Sequence, residues 1–171
     1  VYMHAGPEIS VASTKAYTCM GIVFALLALH IGRIRDLSPQ EGQRLVTELK
    51  QFPKVIEQTL KLDNQIKMLA RGFYKYKSAF YIGRANAYPV ALEGSQKLKE
   101  ISYIHAEAYP SSELKHGPLA LISSAVPTIV ALPNDILLDK SISSLEEIRA
   151  RQGRTIVITN SDDSRVESLA D

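Results

Sequence analysis

Three short apolar runs constrain the fold of this chain more than any other feature of its sequence. The runs are SAFYIG at residues 78–83, PTIVAL at 127–132 and RTIVIT at 154–159. β-branched residues are frequent in them and turn-forming residues bound them, as in buried strands. Segments with helical periodicity, at about 89–104 and 137–152, separate the runs. This order predicts an α/β fold: a three-layer αβα sandwich around a mostly parallel sheet.

The first third of the chain predicts helices. Residues 13–32 are apolar nearly all round, so we expect a buried helix there. Its apolar run, 20–31, is too short to cross a bilayer and lacks the flanking features of a signal peptide. Ser38-Pro39 predicts the start of a second helix, since proline fits the first turn. The helical pattern continues to about Arg71, with an interruption near Pro53.

The composition predicts a cytoplasmic globular protein. Of 171 residues, 46% are hydrophobic, which is enough to bury a core. Twenty Lys and Arg against 18 Asp and Glu give a formal net charge of +2, which argues against a nucleic-acid or acidic-membrane partner. The single cysteine, Cys19, cannot form an internal disulfide, and no Cys/His spacing fits a metal site. Because the chain opens with Val1, we expect a fragment of a larger polypeptide.

One helix carries a charged face that permits two interpretations. Glu93, Lys97 and Glu100 stand at i, i+4 and i+7 in the segment after the first predicted strand. They could form a solvated face held by pairs that each contribute ~0.2–0.5 kcal/mol. Alternatively, a carboxylate beside an ammonium at the lip of the sheet can act as a general base whose neighbour stabilises an oxyanion. Downstream, His116 lies in the polar segment SELKHGP, where its titration near neutrality suits proton transfer.

Three motifs give the chain a family resemblance. They are ALEGSQKLKEISYIHAEA at residues 91–108, SELKHGPLAL at 112–121 and AGPEISVASTKA at 5–16. In this order they closely resemble the isomerase domain of the glutamine–fructose-6-phosphate aminotransferase (glucosamine-6-phosphate synthase) family. That resemblance implies two sugar-isomerase (SIS) domains, of which residues 1–37 would be the tail of the first. Residues 38–68 would be a helical connector and 69–171 the second SIS domain, truncated at its C-terminal end.

The resemblance also implies a reaction and a role for each site residue. The family makes glucosamine 6-phosphate from fructose 6-phosphate and glutamine-derived ammonia, with no metal or organic cofactor. Glu100 matches the base that moves a proton between C1 and C2 of the sugar, and Lys97 matches the lysine that assists it. His116 matches the histidine of ring opening, supplied across a homodimer interface. Glu93 matches a carboxylate of the same helix face, and Val11 matches a position whose backbone contacts the sugar.

Some parts of the family pattern differ or fall outside the chain. Ser10 and Ser112 stand where glycine is usual, which could shift loop geometry if those positions need a positive φ. By resemblance, the phosphate loop of the first SIS domain would precede Val1, and the Schiff-base lysine would follow Asp171. The glutaminase domain would also lie elsewhere in the same polypeptide. We therefore expect this segment alone to be inactive.

Two other functions remain open from the sequence. A non-catalytic SIS module could bind a sugar phosphate for regulation, but it would have no use for Glu100, Lys97 and His116 together. A purely structural dimerisation piece would predict no response to sugar phosphates.

Overall fold

In the computed structural model, which describes residues 1–171, the chain divides into the units Val1–Phe73 and Tyr74–Asp171. The first unit contains three helices, α1 (Lys15–Ile34), α2 (Pro39–Leu60) and α3 (Asp63–Phe73). The helix α2 begins at Pro39 as predicted, and Ser38 caps it, because its hydroxyl accepts a hydrogen bond from the Glu41 amide at 3.2 Å. The interruption predicted near Pro53 is wrong. Pro53 lies inside α2, and the helix instead ends at Leu60.

The predicted burial of the first helix is also wrong. No residue of α1 is buried, and Phe24 and Ile34 are 66% and 70% exposed. Within this unit only α2 and α3 are available as packing partners, and their amphipathic, largely polar surfaces cannot cover a helix that is apolar on all sides. The apolar run 20–31 is too short to cross a bilayer, but the helix α1 as a whole, with 20 residues and a mean hydropathy of 1.6, is long and apolar enough to do so. Core helices of soluble proteins share that length and composition.

The second unit is built on a four-stranded sheet. Its strands are β1 (Ser78–Gly83), β2 (His105–Pro110), β3 (Thr128–Leu132) and β4 (Thr155–Thr159). They pair in the order β2-β1-β3-β4, and every pairing is parallel. The predicted α/β class with its parallel sheet is confirmed. The strand β2 was not predicted, because HAEAYP mixes charged and apolar residues and follows a strong helical pattern directly.

Helices cover both faces of this sheet. The helix α4 (Tyr88–Ser102) follows β1, α5 (Leu138–Arg149) follows β3, and α6 (Ser164–Leu169) follows β4. One face of the sheet carries the main core, in which strand residues such as Ile82 and Leu132 pack with Leu145 and Ile148 of α5. Val166 of α6 joins the same cluster. The edge strand β4 leaves Ile158 64% exposed.

The opposite face receives α4 through a close approach at Gly94. A Cβ atom on Gly94 would lie 2.7 Å from the ring of Tyr81, so a side chain there would clash with β1. Strand residues alternate between faces, which places Tyr81 opposite Phe80 and Ile82 of the main core. Glycine therefore sets how closely α4 lies against the sheet.

Candidate active site

The three charged residues predicted on one helix face meet in the structure. Within α4, the Lys97 Nζ lies 2.7 Å from Glu100 Oε2 and 3.5 Å from Glu93 Oε1. All three side chains are partly buried, with 20–28% of their surfaces exposed. The ammonium thus lies between two carboxylates, as i, i+4 and i+7 spacing requires.

A fourth side chain completes this cluster. The Gln96 amide donates from Nε2 to Glu100 Oε1 at 3.0 Å, so both oxygens of the Glu100 carboxylate accept a hydrogen bond. Gln96 was not predicted as part of the site. Its i, i+4 spacing to Glu100 is the signal that could have found it. We call Glu93, Gln96, Lys97 and Glu100 the α4 cluster.

The α4 cluster favours charged forms of its members. Hydrogen bonds, first from Lys97 and then from Gln96, lower the pKa of the Glu100 carboxyl from its ordinary value. The hydrogen bond to Glu100 raises the pKa of Lys97, and Glu93 adds to that shift. Glu100 is therefore ionised at neutral pH, as a general base must be, and Lys97 is a protonated donor beside it.

The structure places these residues toward the amino edge of the sheet. Because α4 follows β1, it begins at the carboxyl edge of the sheet and runs back toward the start of β2. Glu100 lies two residues before the last residue of α4, Ser102, so it lies toward the amino edge. The cluster is on a helix surface, outside the crevice beyond the strand ends.

His116 occupies a different part of the same unit. It is exposed at the end of a 3-10 segment, Ser111–His116, whose Leu114 is fully buried. Gly117 follows with φ 140°, a value that L side chains rarely adopt, and it turns the chain into the next segment, Pro118–Leu121. His116 makes neither a hydrogen bond nor an ion pair with Glu93, Lys97 or Glu100. The buried anchor and the turn instead hold its imidazole out toward solvent.

Val11 belongs to the other unit, where it is 92% exposed. Local contacts of Glu8 shape its segment. Glu8 Oε1 accepts hydrogen bonds from the Ser13 hydroxyl at 3.1 Å and from the Ala16 amide at 3.3 Å. These bonds tie the segment to the first turn of α1.

The two serines at positions where glycine is usual fit their places without strain. Neither Ser10 nor Ser112 has a positive φ. The shift in loop geometry that these replacements could have caused is therefore not required.

Comparison with known proteins identifies the architecture. A model of the SIS domain family matches residues 72–171, more than half of the chain. The chain belongs to the SIS domain family. The SIS match contains the α4 cluster and His116, whereas Val11 lies outside it.

Two individual relatives of this chain are enzymes with the same name. Glutamine–fructose-6-phosphate aminotransferases (isomerizing) from Bartonella henselae and Thermus thermophilus are 47% and 44% identical to it. The alignments cover 91% and 99% of this chain but 26% and 28% of the relatives. The chain thus spans about a quarter of the length of the curated relatives it matches.

A solved structure agrees with these alignments. The C-terminal domain of glucosamine-fructose-6-phosphate aminotransferase from Francisella tularensis matches with a TM-score of 0.90 at 43% identity. This match covers 97% of the chain and 46% of that domain. The predicted resemblance of the chain to this enzyme family is confirmed.

No group of three or more His, Cys, Asp or Glu side chains in the SIS domain chain is placed to hold a metal ion. The charged residues of the α4 cluster instead satisfy one another.

Proposed function

We propose that this chain is the sugar-isomerising part of a glutamine–fructose-6-phosphate aminotransferase. The observation that carries the proposal is the α4 cluster, in which an ionised carboxylate and an ammonium lie 2.7 Å apart on a partly buried surface. The relatives that carry this enzyme name are 44–47% identical to the chain. The whole enzyme would convert fructose 6-phosphate and ammonia from glutamine to glucosamine 6-phosphate.

The proposed chemistry is a proton transfer between neighbouring carbons. The Glu100 carboxylate takes a proton from C1 of the sugar and returns it to C2, so the step is redox-neutral within the substrate. The Lys97 ammonium supplies positive charge next to the oxygen on which negative charge develops. Glu93 holds Lys97 through the 3.5 Å ion pair. This arrangement keeps Lys97 protonated while Glu100 acts as the base.

Two further residues would complete the site. His116, whose imidazole is exposed, would promote opening of the sugar ring from the partner chain of a homodimer. The backbone at Val11 would contact the sugar. Neither residue belongs to the α4 cluster, so both roles depend on assembly of the larger enzyme.

The larger enzyme would supply the remaining parts. Residues 1–37 would be the end of a first SIS domain, and residues 69–171 would form most of a second SIS domain. Residues 38–68 would be the helical connector between the two domains. The glutaminase domain would belong to the same polypeptide. We propose a cytoplasmic enzyme with no nucleic-acid or membrane partner, in which α1 is a core helix of the first domain.

The decisive experiment removes the base from the enzyme that carries this segment. Glu100→Gln keeps the shape and one hydrogen-bonding oxygen but removes the basic oxygen. We expect its rates of synthesis and sugar isomerisation to fall by about 10²–10⁴-fold. Glutamine hydrolysis should persist, because another domain would perform it.

The matched control is Glu146→Gln, which makes the same change at an exposed position of α5. Its isomerisation rate should stay within about twofold of the parent's, which is the range expected of a surface substitution. An equally small effect for Glu100→Gln would overturn the catalytic assignment. In that case the alternative, a module that binds sugar phosphate without chemistry, would be favoured if thermal stability still responds to fructose 6-phosphate.

A further inference from the structure

The two oxygens of the Glu100 carboxylate have different partners. Lys97 Nζ lies 2.7 Å from Oε2, whereas the neutral amide of Gln96 donates from Nε2 to Oε1 at 3.0 Å. Glu93, Lys97 and Glu100 take part in the proposed proton transfer, whereas Gln96 only contacts the base. An uncharged side chain in that place can change how the base acts without entering the chemistry itself.

Gln96 restricts the rotation of this carboxylate. The terminal torsion of a glutamate side chain has a broad, roughly two-fold preference, so a single contact leaves the carboxylate plane free to turn. Gln96 and Lys97 both precede Glu100 by about one helical turn, and each holds a different oxygen. Two donors on two oxygens fix the plane. Without Gln96, Lys97 would be the only contact, and the carboxylate could rotate about it.

Charge makes the two oxygens unequal as bases. The ammonium of Lys97 stabilises negative charge at Oε2 through a charge-assisted hydrogen bond, which is about twice as strong as a neutral one. Oε1 has only the neutral amide of Gln96, and a carboxylate oxygen that accepts one hydrogen bond keeps a second lone pair. Oε1 is therefore the oxygen that accepts a proton more readily, and the position of Gln96 determines where its free lone pair points.

The elements packed against α4 place no competing charge beside Glu100. Side chains on the α4 face of the sheet alternate with those of the main core. They are Ala79 and Tyr81 of β1, Ala106 and Ala108 of β2, and Ile129 and Ala131 of β3. Tyr81 is the only titratable group among them, and burial raises the pKa of its hydroxyl, so it stays neutral. The turn Ala85–Ala87 contains no titratable residue, and Lys77, just before β1, is exposed and forms no ion pair with Glu100. The hydrogen bonds of the Glu100 carboxylate therefore all come from its own helix.

We propose that Gln96 is a positioning residue of this site, which holds the Glu100 carboxylate so that Oε1 takes the proton of the sugar. The C1–H bond breaks, Oε1 receives the proton, and the electron pair forms a C1–C2 double bond while the carbonyl oxygen at C2 becomes an oxyanion. The hydroxyl proton at C1 then moves to that oxyanion, and Oε1 returns its proton to C2. This role of Gln96 rests on the proposed isomerase function, whereas its effect on the ionisation of Glu100 does not.

The test of positioning is the pH profile of sugar isomerisation in the enzyme that carries this segment. Gln96→Leu keeps most of the side-chain volume and introduces another good helix former, but it removes the donor. We expect kcat to fall about tenfold because the carboxylate is less well oriented, and KM to change less than about twofold because Gln96 does not bind the sugar. The acid limb of kcat/KM should move to higher pH, since the free base then protonates more easily.

Two further variants give this test a direction and a control. Gln96→Glu places a second carboxylate against Oε1, and like charges favour protonation, so its acid limb should move further than that of Gln96→Leu. Gln58→Leu makes the matched change at an exposed position of α2 and should leave kcat and the pH profile as in the parent. An unchanged kcat and acid limb in Gln96→Leu, together with inactivity of Glu100→Gln, would overturn the role of Gln96 and leave the proposed function standing.

The ionisation of Glu100 gives a second readout that needs no activity. A carboxyl carbon NMR titration of the chain should show a higher pKa of Glu100 in Gln96→Leu than in the parent, because one of the two hydrogen bonds that lower it is lost. The parent value in Gln96→Leu would overturn the role of Gln96, whatever the activity of the enzyme. A higher pKa together with a fully active Glu100→Gln enzyme would instead overturn the proposed isomerase site, and with it the use of Oε1 as the base.

Discussion

The carboxyl group of Glu100 owes its acidity to neighbours on its own helix. The largest contribution to its lowered pKa is the hydrogen bond from Lys97, followed by that from Gln96. In Lys97→Met, we therefore expect the pKa of Glu100 to rise toward its ordinary value. A carboxyl carbon NMR titration of the chain measures this directly. The control is Lys99→Met, which makes the same change at an exposed position that donates no hydrogen bond to Glu100. It should leave the titration of Glu100 unchanged.

The Lys97–Glu100 pair determines the direction in which the stability of the fold changes with pH. The pKa of Glu100 is lower in the folded chain than its ordinary value, so its ionised form stabilises the fold. This contribution is complete above the ordinary carboxyl pKa and is lost as the pH falls through the lowered one. Overlapping titration curves of Glu100 in the parent and in Lys97→Met would contradict this account.

Two buried threonines on neighbouring strands make a matched pair. Thr128 and Thr155 are register partners of β3 and β4, and both are 0% exposed. The Thr155 hydroxyl donates to the Leu169 carbonyl at 2.6 Å, whereas the Thr128 hydroxyl has no hydrogen-bond partner. We expect Thr128→Val to raise the free energy of unfolding by about 1 kcal/mol and Thr155→Val to lower it by about as much. Urea unfolding monitored by circular dichroism measures both, and a loss of stability in Thr128→Val would contradict the prediction.

At the scale of elements, the close contact between α4 and β1 fixes the position of the helix that carries the α4 cluster. In Gly94→Ala, the new methyl group would lie 2.7 Å from the Tyr81 ring, so the helix or the ring must move. Overpacking of this kind costs about 1–3 kcal/mol, which exceeds the gain of up to about 1 kcal/mol from helix propensity. We expect a net loss of stability in urea unfolding. Gly21→Ala, in the middle of α1 with nothing within 4 Å of the new Cβ, should instead stabilise its helix. A stabilised Gly94→Ala variant would show that α4 does not lie as closely as described.

The strands and helices differ in how far the sequence predicts them. β1 is predicted at its observed bounds, and β3 and β4 each begin one residue later than predicted. These strands are predictable because they are rich in β-branched residues, which favour strands. The edge strand β2 and the burial of α1 were predicted incorrectly. β2 forms because its backbone pairs with β1, which lies more than 20 residues away along the chain. The burial of α1 likewise depends on the elements that pack against it, and the sequence of the helix does not specify them.

The site was predictable where it depends on one helix. Spacing alone brings Glu93, Lys97 and Glu100 together, since residues three and four apart are neighbours on a helix. Spacing does not relate His116 or Val11 to that cluster, because no regular element contains them both. Their proposed roles rest on family resemblance and remain predictions.

At the scale of the whole molecule, the proposed site is shared between two chains. If His116 of one chain completes the Glu100 site of the other, Glu100→Gln and His116→Ala enzymes should each be nearly inactive alone. Random exchange of their subunits makes half of the dimers mixed, each with one intact site, so activity should recover to about a quarter of the parent's. Steady-state isomerisation rates before and after exchange measure this. Continued inactivity after verified exchange would mean that His116 acts within its own chain.

The exposed side of β4 has a consequence for handling the protein. Its sequence, TIVIT, contains no charge and no proline, the two devices by which edge strands commonly resist unwanted pairing. Asp171 already occupies the start of this edge, since its amide donates a hydrogen bond to the Thr155 carbonyl at 2.9 Å. Wherever nothing covers the rest of the strand, its outward amide and carbonyl groups offer a template for the backbone of another copy. Association would then proceed through main-chain hydrogen bonds, so detergents that mask only apolar side chains would not prevent precipitation. A lysine in place of Ile158 would oppose such stacking directly, by setting like charges against each other between molecules.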